Sequence, residues 1–314
     1  MKIVFMGTPD YAVPTLEALI KDGHNIEAVF CQPDKPVGRK RILTPPAVKV
    51  TALNYNIPVY QPDSVRTDEV YELLSNINPD VIVVVAYGKI LPERILKLPR
   101  LGCINGHASL LPKYRGASPI QWSIVCGESE TGVTAMYMDK GMDTGDILQV
   151  AKTDIYPEET ADELFDRLSL ITASLLVDTL NKAEKGTLSP VKQNDEEATY
   201  APIINKEMAL IDFGKAAKDI VNMVRGYNSW PVAYCYLDGK RLKIFKCKVD
   251  EATEKKGGTI IESDNSLKVA CGDGLSISLE EIQLEGGKRM NVSDFLKGKS
   301  IAVGTVLTQG ENCG

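Results

Sequence analysis

The chain has 314 residues, 44% hydrophobic and 25% charged, which is the composition of a globular protein and excludes a disordered or fibrous one. That length is more than one core usually serves, so two domains are expected, and no apolar run reaches the roughly 18–20 residues of a membrane span. The net charge of −6 excludes a uniformly basic nucleic-acid binder but leaves room for local basic patches.

The N-terminal "MKIVFMGTPD" meets Gly, Pro and Asp too early for a secretory signal and reads as a buried strand with its turn. "VPTLEALIKDG" (13–23) has helical spacing closed by glycine. "NIEAVFCQ" (25–32), "PVYQ" (58–61) and "DVIVVVAYG" (80–88) are strand candidates, with a helix over 66–77. Residues 81–86 are apolar on both faces, as in a central parallel strand. "GCINGHAS" and "GVTAMYMD" continue the alternation, which predicts a doubly wound, Rossmann-like, mainly parallel α/β sheet.

A long amphipathic helix is expected over 158–186, with Thr160 and Glu163 as a capping box and Gly186 at its end. The polar stretch 187–207 reads as a linker. Beyond it, one helix signal (214–227) and several short alternating runs predict a smaller C-terminal β-barrel, OB-like, with "LDGK" as a hairpin turn. The expected division is a catalytic domain over 1–186, the linker 187–207, and a barrel over 208–314. Seven scattered cysteines, at 31, 103, 126, 235, 247, 271 and 313, include no CxxC pair. They point to reduced thiols in a cytoplasmic compartment, with neither a disulfide framework nor a zinc site.

The G-x-G-x-x-G fingerprint, P-loop, H-E-x-x-H and G-x-S-x-G are all absent. Instead Asn105, His107 and Ser109 alternate at a strand end, where ligands bind in sheets of this kind. "AYGKILP" (86–92) breaks from its strand at the same end. The other histidine, His24, falls in a turn and reads as an exposed turn residue. Downstream, "MDKGMDTGD" (138–146) brackets Asp143 between Gly141 and Gly145, a loop whose backbone can approach a ligand. Its acids do not follow the EF-hand pattern, and Asp143 is the best carboxylate partner for His107. An amide, an imidazole and a carboxylate without a Ser or Cys nucleophile are the parts for a tetrahedral intermediate formed by an external nucleophile. Asn105 and a protonated His107 would stabilise the oxyanion, one such donor contributing about 3–4 kcal/mol, and Asp143 would assist proton transfer. Acyl-type transfer to an amine or hydroxyl follows.

Two segments are basic and lack acids: 35–62, with Lys35, Arg39, Lys40, Arg41 and Lys49, and 239–249, with Lys240, Arg241, Lys243, Lys246 and Lys248. Strand alternation puts Arg241 and Lys243, joined by any residue past a bulge, on one face of the second segment and Lys240, Lys246 and Lys248 on the other.

"INGHASLLPKYRGASPIQWSI…TGVTAMYMDKGMDTGD", "MKIVFMGTPDYAVPTLEAL", "QPDKPVGRKR", "AYGKILP", "ATYAPIINKE", "RGYNSWPVA" and "EGGKRM…DFLKGK" together resemble the folate-dependent formyltransferases. The basic loop and the C-terminal segments resemble the tRNA-directed branch. The resemblance implies transfer of a formyl group from 10-formyltetrahydrofolate to the α-amine of methionine on initiator tRNA. It implies Asn105, His107 and Asp143 as catalytic residues and no metal. Folate contacts would come from Ser109, Leu110, Leu111 and Pro112, and from Tyr87, Gly88 and Ile90. Contacts to tRNA would come from Arg39, Lys40 and Arg41 and from Lys240, Arg241, Lys243, Lys246 and Lys248, in a cytoplasmic monomer independent of membranes. The alternatives are a formyltransferase acting on a sugar-nucleotide amine and a non-catalytic RNA-binding relative; a glycinamide-ribonucleotide enzyme would end near the first domain. Two positions depart from the family pattern. Gly106 stands where an apolar, often β-branched residue is usual, and Met142 where Leu is usual. Gly106 adds backbone freedom beside His107.

Overall fold

Short β-branched runs that end in glycine or a polar turn become strands, and the amphipathic runs between them become helices. The structure, a computed structural model, describes residues 1–38 and 40–310. In chain order the first elements are β1 (Lys2–Gly7), α1 (Val13–Lys21), β2 (Asn25–Phe30), β3 (Lys35–Val37), β4 (Ile42–Thr44), α2 (Ala47–Asn54) and β5 (Val59–Tyr60). Then come α3 (Asp68–Ile77), β6 (Val81–Val85), α4 (Glu93–Leu96), β7 (Cys103–His107), β8 (Arg115–Gly116) and α5 (Pro119–Val125). β9 (Glu130–Tyr137), β10 (Ile147–Asp154), α6 (Ala161–Glu184) and β11 (Tyr200–Ala201) follow. Two units result. The first holds Met1–Pro119, Glu130–Asp154 and Phe165–Ala201; the second holds Ile120–Ser129, Ile155–Leu164 and the chain from Pro202 onward.

In the first unit seven strands form one sheet in the order β10-β9-β7-β6-β1-β2-β5. β5, β2, β1, β6 and β7 run parallel, and β9 and β10 are antiparallel additions at one edge. All five residues of β6 are buried, because both faces of a central parallel strand are covered. The strand order reverses at β1, whose neighbours are β2 and β6. The carboxyl ends at that reversal are where such sheets open a crevice. Helix limits follow local chemistry. At α3, Thr67 Oγ1 accepts from the Val70 N–H at 3.4 Å, and Asn78 closes the helix in the left-handed region at φ 49°. The basic segment that begins at Lys35 is not an open loop: β3 and β4 pair as a separate hairpin.

The stretch 187–201, expected as part of the linker, is stitched into the first unit. Val191 and Ile147 exchange backbone hydrogen bonds of 2.9 and 2.8 Å, and β11 pairs with β8.

The second unit contains α7 (Ala217–Gly226), β12 (Tyr234–Leu237), β13 (Lys240–Ala252), β14 (Ile260–Glu262), β15 (Leu267–Ala270), β16 (Leu275–Leu284), β17 (Met290–Asn291) and α8 (Val292–Gly298). Its strands run β12-β13-β16-β15-β14, with β17 beside β16, as a curled antiparallel half-barrel. Leu242, Ile244, Val269, Ile277 and Ile282 fill it, and Ile220 and Val224 of α7 pack against them. Asp238 and Gly239 both take positive φ, 50° and 73°, as a tight hairpin turn between β12 and β13 requires. The free edges of β12 and of the β14 end are taken by the same terminal segment. Thr308 pairs with Tyr236 and Val306 with Thr259, which removes two exposed edges at once. No helix among the described residues is long and apolar enough to cross a membrane.

Candidate active site

β7 places the candidate groups by simple alternation. Asn105, Gly106 and His107 pair across the ladder with Met136, Ala135 and Thr134 of β9. Gly106 faces α6: a Cβ there would lie 2.7 Å from the Thr172 methyl and 2.9 Å from a Leu176 methyl. Asn105 and His107 therefore point to the opposite face of the sheet, where both are buried. The glycine does not loosen the strand. Its missing side chain is the space that lets α6 pack directly on β7, and Thr172 is pinned there by hydrogen bonds to Tyr11 Oη (2.7 Å) and the Leu168 carbonyl (2.8 Å).

His107 meets two partners. Nε2 lies 3.0 Å from the Tyr114 carbonyl, and since a carbonyl only accepts, Nε2 carries the proton. Nδ1 lies 3.7 Å from Asp143 Oδ2, within ion-pair range but too long for a hydrogen bond. Nδ1 is therefore the ring nitrogen not committed to a hydrogen bond with the carboxylate. The Asn105 carboxamide makes no hydrogen bond among the described residues, so its donors remain available.

Asp143 has φ 55°, a left-handed conformation that costs a side-chain-bearing residue roughly 1–2 kcal/mol. Surrounding bonds hold it there. Oδ2 accepts from the Gly116 N–H at 2.8 Å, and the Asp143 carbonyl accepts from Gln193 Nε2 at 2.8 Å. The flanking glycines serve loop closure, not approach to a ligand as the sequence suggests: a Cβ on Gly145 would sit 1.8 Å from the Tyr137 carbonyl oxygen, and one on Gly141 would sit 2.0 Å from Thr144 Oγ1. Asp139 is also structural, accepting from Gly141 N–H at 3.0 Å and Thr144 Oγ1 at 2.6 Å.

The turn after β7 is built from buried polar groups. Ser109 is fully buried, and its hydroxyl donates to the Lys113 carbonyl at 2.6 Å. Thr134 Oγ1 donates to the Ser109 carbonyl at 2.7 Å and accepts from the Leu111 N–H at 3.1 Å. Ser109 thus shapes the turn, with Leu111 buried and Leu110 and Pro112 half-buried. At the end of β6, Thr8 Oγ1 and Gln32 Nε2 both donate to the Tyr87 carbonyl, at 3.1 and 3.0 Å. The Tyr87 ring is buried, and its hydroxyl finds no partner among the described residues; burial raises its pKa. Gly88 takes φ 79°, and Ile90 is 63% exposed.

His24, expected on open surface, has its side chain only 5% exposed, 3.3 Å from Asp22; it takes no part in this site. Of the first basic segment, Arg39 lies outside the described residues. Lys40 and Arg41 are exposed between β3 and β4. Lys49 is paired at 2.8 Å with Asp34 and donates to Gln61 at 2.7 Å, so it braces the base of the hairpin.

The second basic segment lies on β13. Register shifts around Lys246 interrupt its pairing with β16. Leu242 and Ile244 are buried before this bulge and Cys247 after it. An extra residue reverses the phase of alternation, so Arg241, Lys243, Lys246 and Lys248 all face outward, which corrects the two-faced division expected from spacing. The segment is also not free of acids in space. Glu280 lies 3.5 Å from Lys246 and 3.0 Å from Lys248, and Glu158 lies 3.7 Å from Lys246. Arg241 lies 4.7 Å from the Tyr234 ring centroid, a preorganised cation–π contact. Lys240 is exposed.

Sequence reasoning missed Gln193, Thr134 and Thr199, whose hydroxyl accepts from the Tyr114 N–H at 2.9 Å. Each lies far along the chain from the group it holds and outside any recognisable spacing.

Family models describe residues 1–180 as formyl transferase and residues 203–300 as formyl transferase, C-terminal domain. The chain is 50% identical over 310 residues to the methionyl-tRNA formyltransferase of Clostridium novyi (strain NT), covering 98% of this chain and 100% of that protein. It is 49% identical over 307 residues to the enzyme of that name from Geobacter metallireducens, covering 98% of each. Among solved structures, the sugar 3N-formyl transferase WlaRD, in the presence of dTDP and 5-N-formyl-THF, shares the fold with a TM-score of 0.68. The identity is 21%, over 92% of this chain and 99% of that one.

Proposed function

The chain belongs to the formyl transferase family, and we propose that it formylates methionyl-tRNA. The donor is 10-formyltetrahydrofolate and the acceptor is the α-amine of the methionine carried by initiator tRNA. The observation that carries the proposal is the convergence of Asn105, His107 and Asp143, the last two at 3.7 Å, in a chain 50% identical to a methionyl-tRNA formyltransferase over nearly its whole length.

The chemistry follows from the donors left unspent. The amine attacks the formyl carbon and the carbonyl oxygen gathers charge. The Asn105 amide and the Nδ1 proton of a protonated His107 are the donors for that oxygen. Oδ2 of Asp143 is bonded to the Gly116 N–H, whereas Oδ1 makes no hydrogen bond among the described residues and is free to accept a proton from the attacking amine. Collapse of the intermediate breaks the bond to the folate nitrogen, which takes up a proton, and the formyl group stays on the amine. The folate lies against Tyr87, Gly88 and Ile90 and against the turn Ser109–Pro112. There Ser109, its hydroxyl already used, contributes shape and backbone. Lys40 and Arg41, with Arg39, and the outward face of β13 serve the polyanionic acceptor.

The test supplies charged initiator tRNA and 10-formyltetrahydrofolate and detects formyl-methionine after hydrolysis of the ester. A parallel reaction offers an amino-sugar nucleotide. Formyl-methionine from the first and no product from the second is expected; the reverse would replace the acceptor.

A further inference from the structure

We propose that Gln193 is a positioning residue for formyl transfer, acting through Asp143; the proposal rests on the function proposed above. Gln193 lies in the polar stretch after α6, yet its carboxamide is fully engaged. Nε2 donates to the carbonyls of Asp143 and Gly145, each at 2.8 Å. Oε1 accepts from Arg115 Nε at 3.0 Å and Nη2 at 2.7 Å. A guanidinium can only donate and a carbonyl can only accept, so the orientation of the amide is unambiguous.

Arg115 is 3% exposed, and its charge is balanced by Asp195 at 2.7 Å. The peptide following it supplies the Gly116 N–H bonded to Asp143 Oδ2. One dipeptide therefore holds Asp143 twice, at the carboxylate through its backbone and at the main chain through Gln193. The clamped carbonyls flank Thr144, next to the left-handed Asp143. Releasing them frees the backbone turn that aims the carboxylate at His107. The surrounding chain acts in the same sense. Val191 is tied to Ile147, and Thr199 accepts from the Tyr114 N–H, the residue whose carbonyl receives His107 Nε2. The segment 191–201 is a strap over both partners of the imidazole.

The discriminating variant is Gln193→Glu, which keeps an acceptor, now charged, for Arg115 and removes both donors to the loop carbonyls. The expected kcat falls by about ten- to a hundredfold, as misplacement of a reacting group does, with each KM within about threefold and the melting temperature near that of the wild type. Introduced into Asp143→Asn, the same change costs less than about threefold, because two residues that act through one contact are non-additive. A readout independent of turnover is the 15N titration of His107, assigned with His24→Gln because the chain has two histidines; Gln193→Glu shifts it. An inactive wild type would refute the function while this titration still tested the clamp. Wild-type kcat with an unchanged His107 titration, or a fully multiplicative loss in the double variant, overturns the proposal.

Discussion

Asp143 Oδ2 stands 3.7 Å from His107 Nδ1, while the same oxygen accepts from Gly116 N–H at 2.8 Å. The carboxylate is held by the backbone of one turn and aimed at the imidazole without a direct hydrogen bond. The opposite ring nitrogen is tied to Tyr114 at 3.0 Å. The ring is thereby fixed in orientation, and its Nδ1 edge makes no direct hydrogen bond to the carboxylate.

Asn105→Ala and His107→Ala are each expected to lose at least about a hundredfold in kcat, the usual effect of deleting an oxyanion donor. Binding of the folate, followed by fluorescence, should be far less affected. Wild-type kcat in either variant would remove that residue from the chemistry.

Asp143→Asn keeps the size of the side chain and an oxygen for the Gly116 N–H, so the fold should survive. Its amide can neither pair with a protonated His107 nor accept a proton from the amine. Most of the activity is expected to go, together with a change in the shape of the kcat–pH profile. A profile superimposable on that of the wild type would exclude Asp143 from proton transfer.

Gly106→Ala should lower stability by about 1–3 kcal/mol through overpacking against Thr172 and Leu176, read as a fall in melting temperature of several degrees. Gly106→Val should fall further. Adding Thr172→Ser, which deletes the methyl that would lie 2.7 Å from the new Cβ, should recover part of the loss of Gly106→Ala. Unchanged melting of Gly106→Val would mean that α6 does not press on β7 at this point.

On the outward face of β13, Arg241→Glu and Lys243→Glu should raise KM for tRNA and flatten the dependence of log(kcat/KM) on log salt, since each removes a phosphate contact. Lys246→Ala and Lys248→Ala should do less, because Glu280 and Glu158 already offset these charges. A salt series of kcat/KM separates the cases; parallel slopes for all variants would show that this face does not meet the RNA.

Most of the architecture was legible in local pattern. The doubly apolar run at 81–86, the alternation through 103–109 and the Asp-Gly turn at 238–239 each declare their element, because side-chain period and turn chemistry are properties of neighbouring residues. The grouping of Asn105, His107 and Asp143 was also accessible, from residue chemistry and from family resemblance. Three things were not. The outward turn of Lys246 and Lys248 depends on the register shifts around Lys246, which change the phase of alternation without leaving a mark in composition. Gly106 suggests flexibility until α6 is seen filling its face. Gln193 sits in a stretch without periodicity, fifty positions from Asp143. Periodicity encodes which face of an element is buried. Which distant donor meets which carbonyl is settled only when the chain closes on itself and every buried polar group must find a partner.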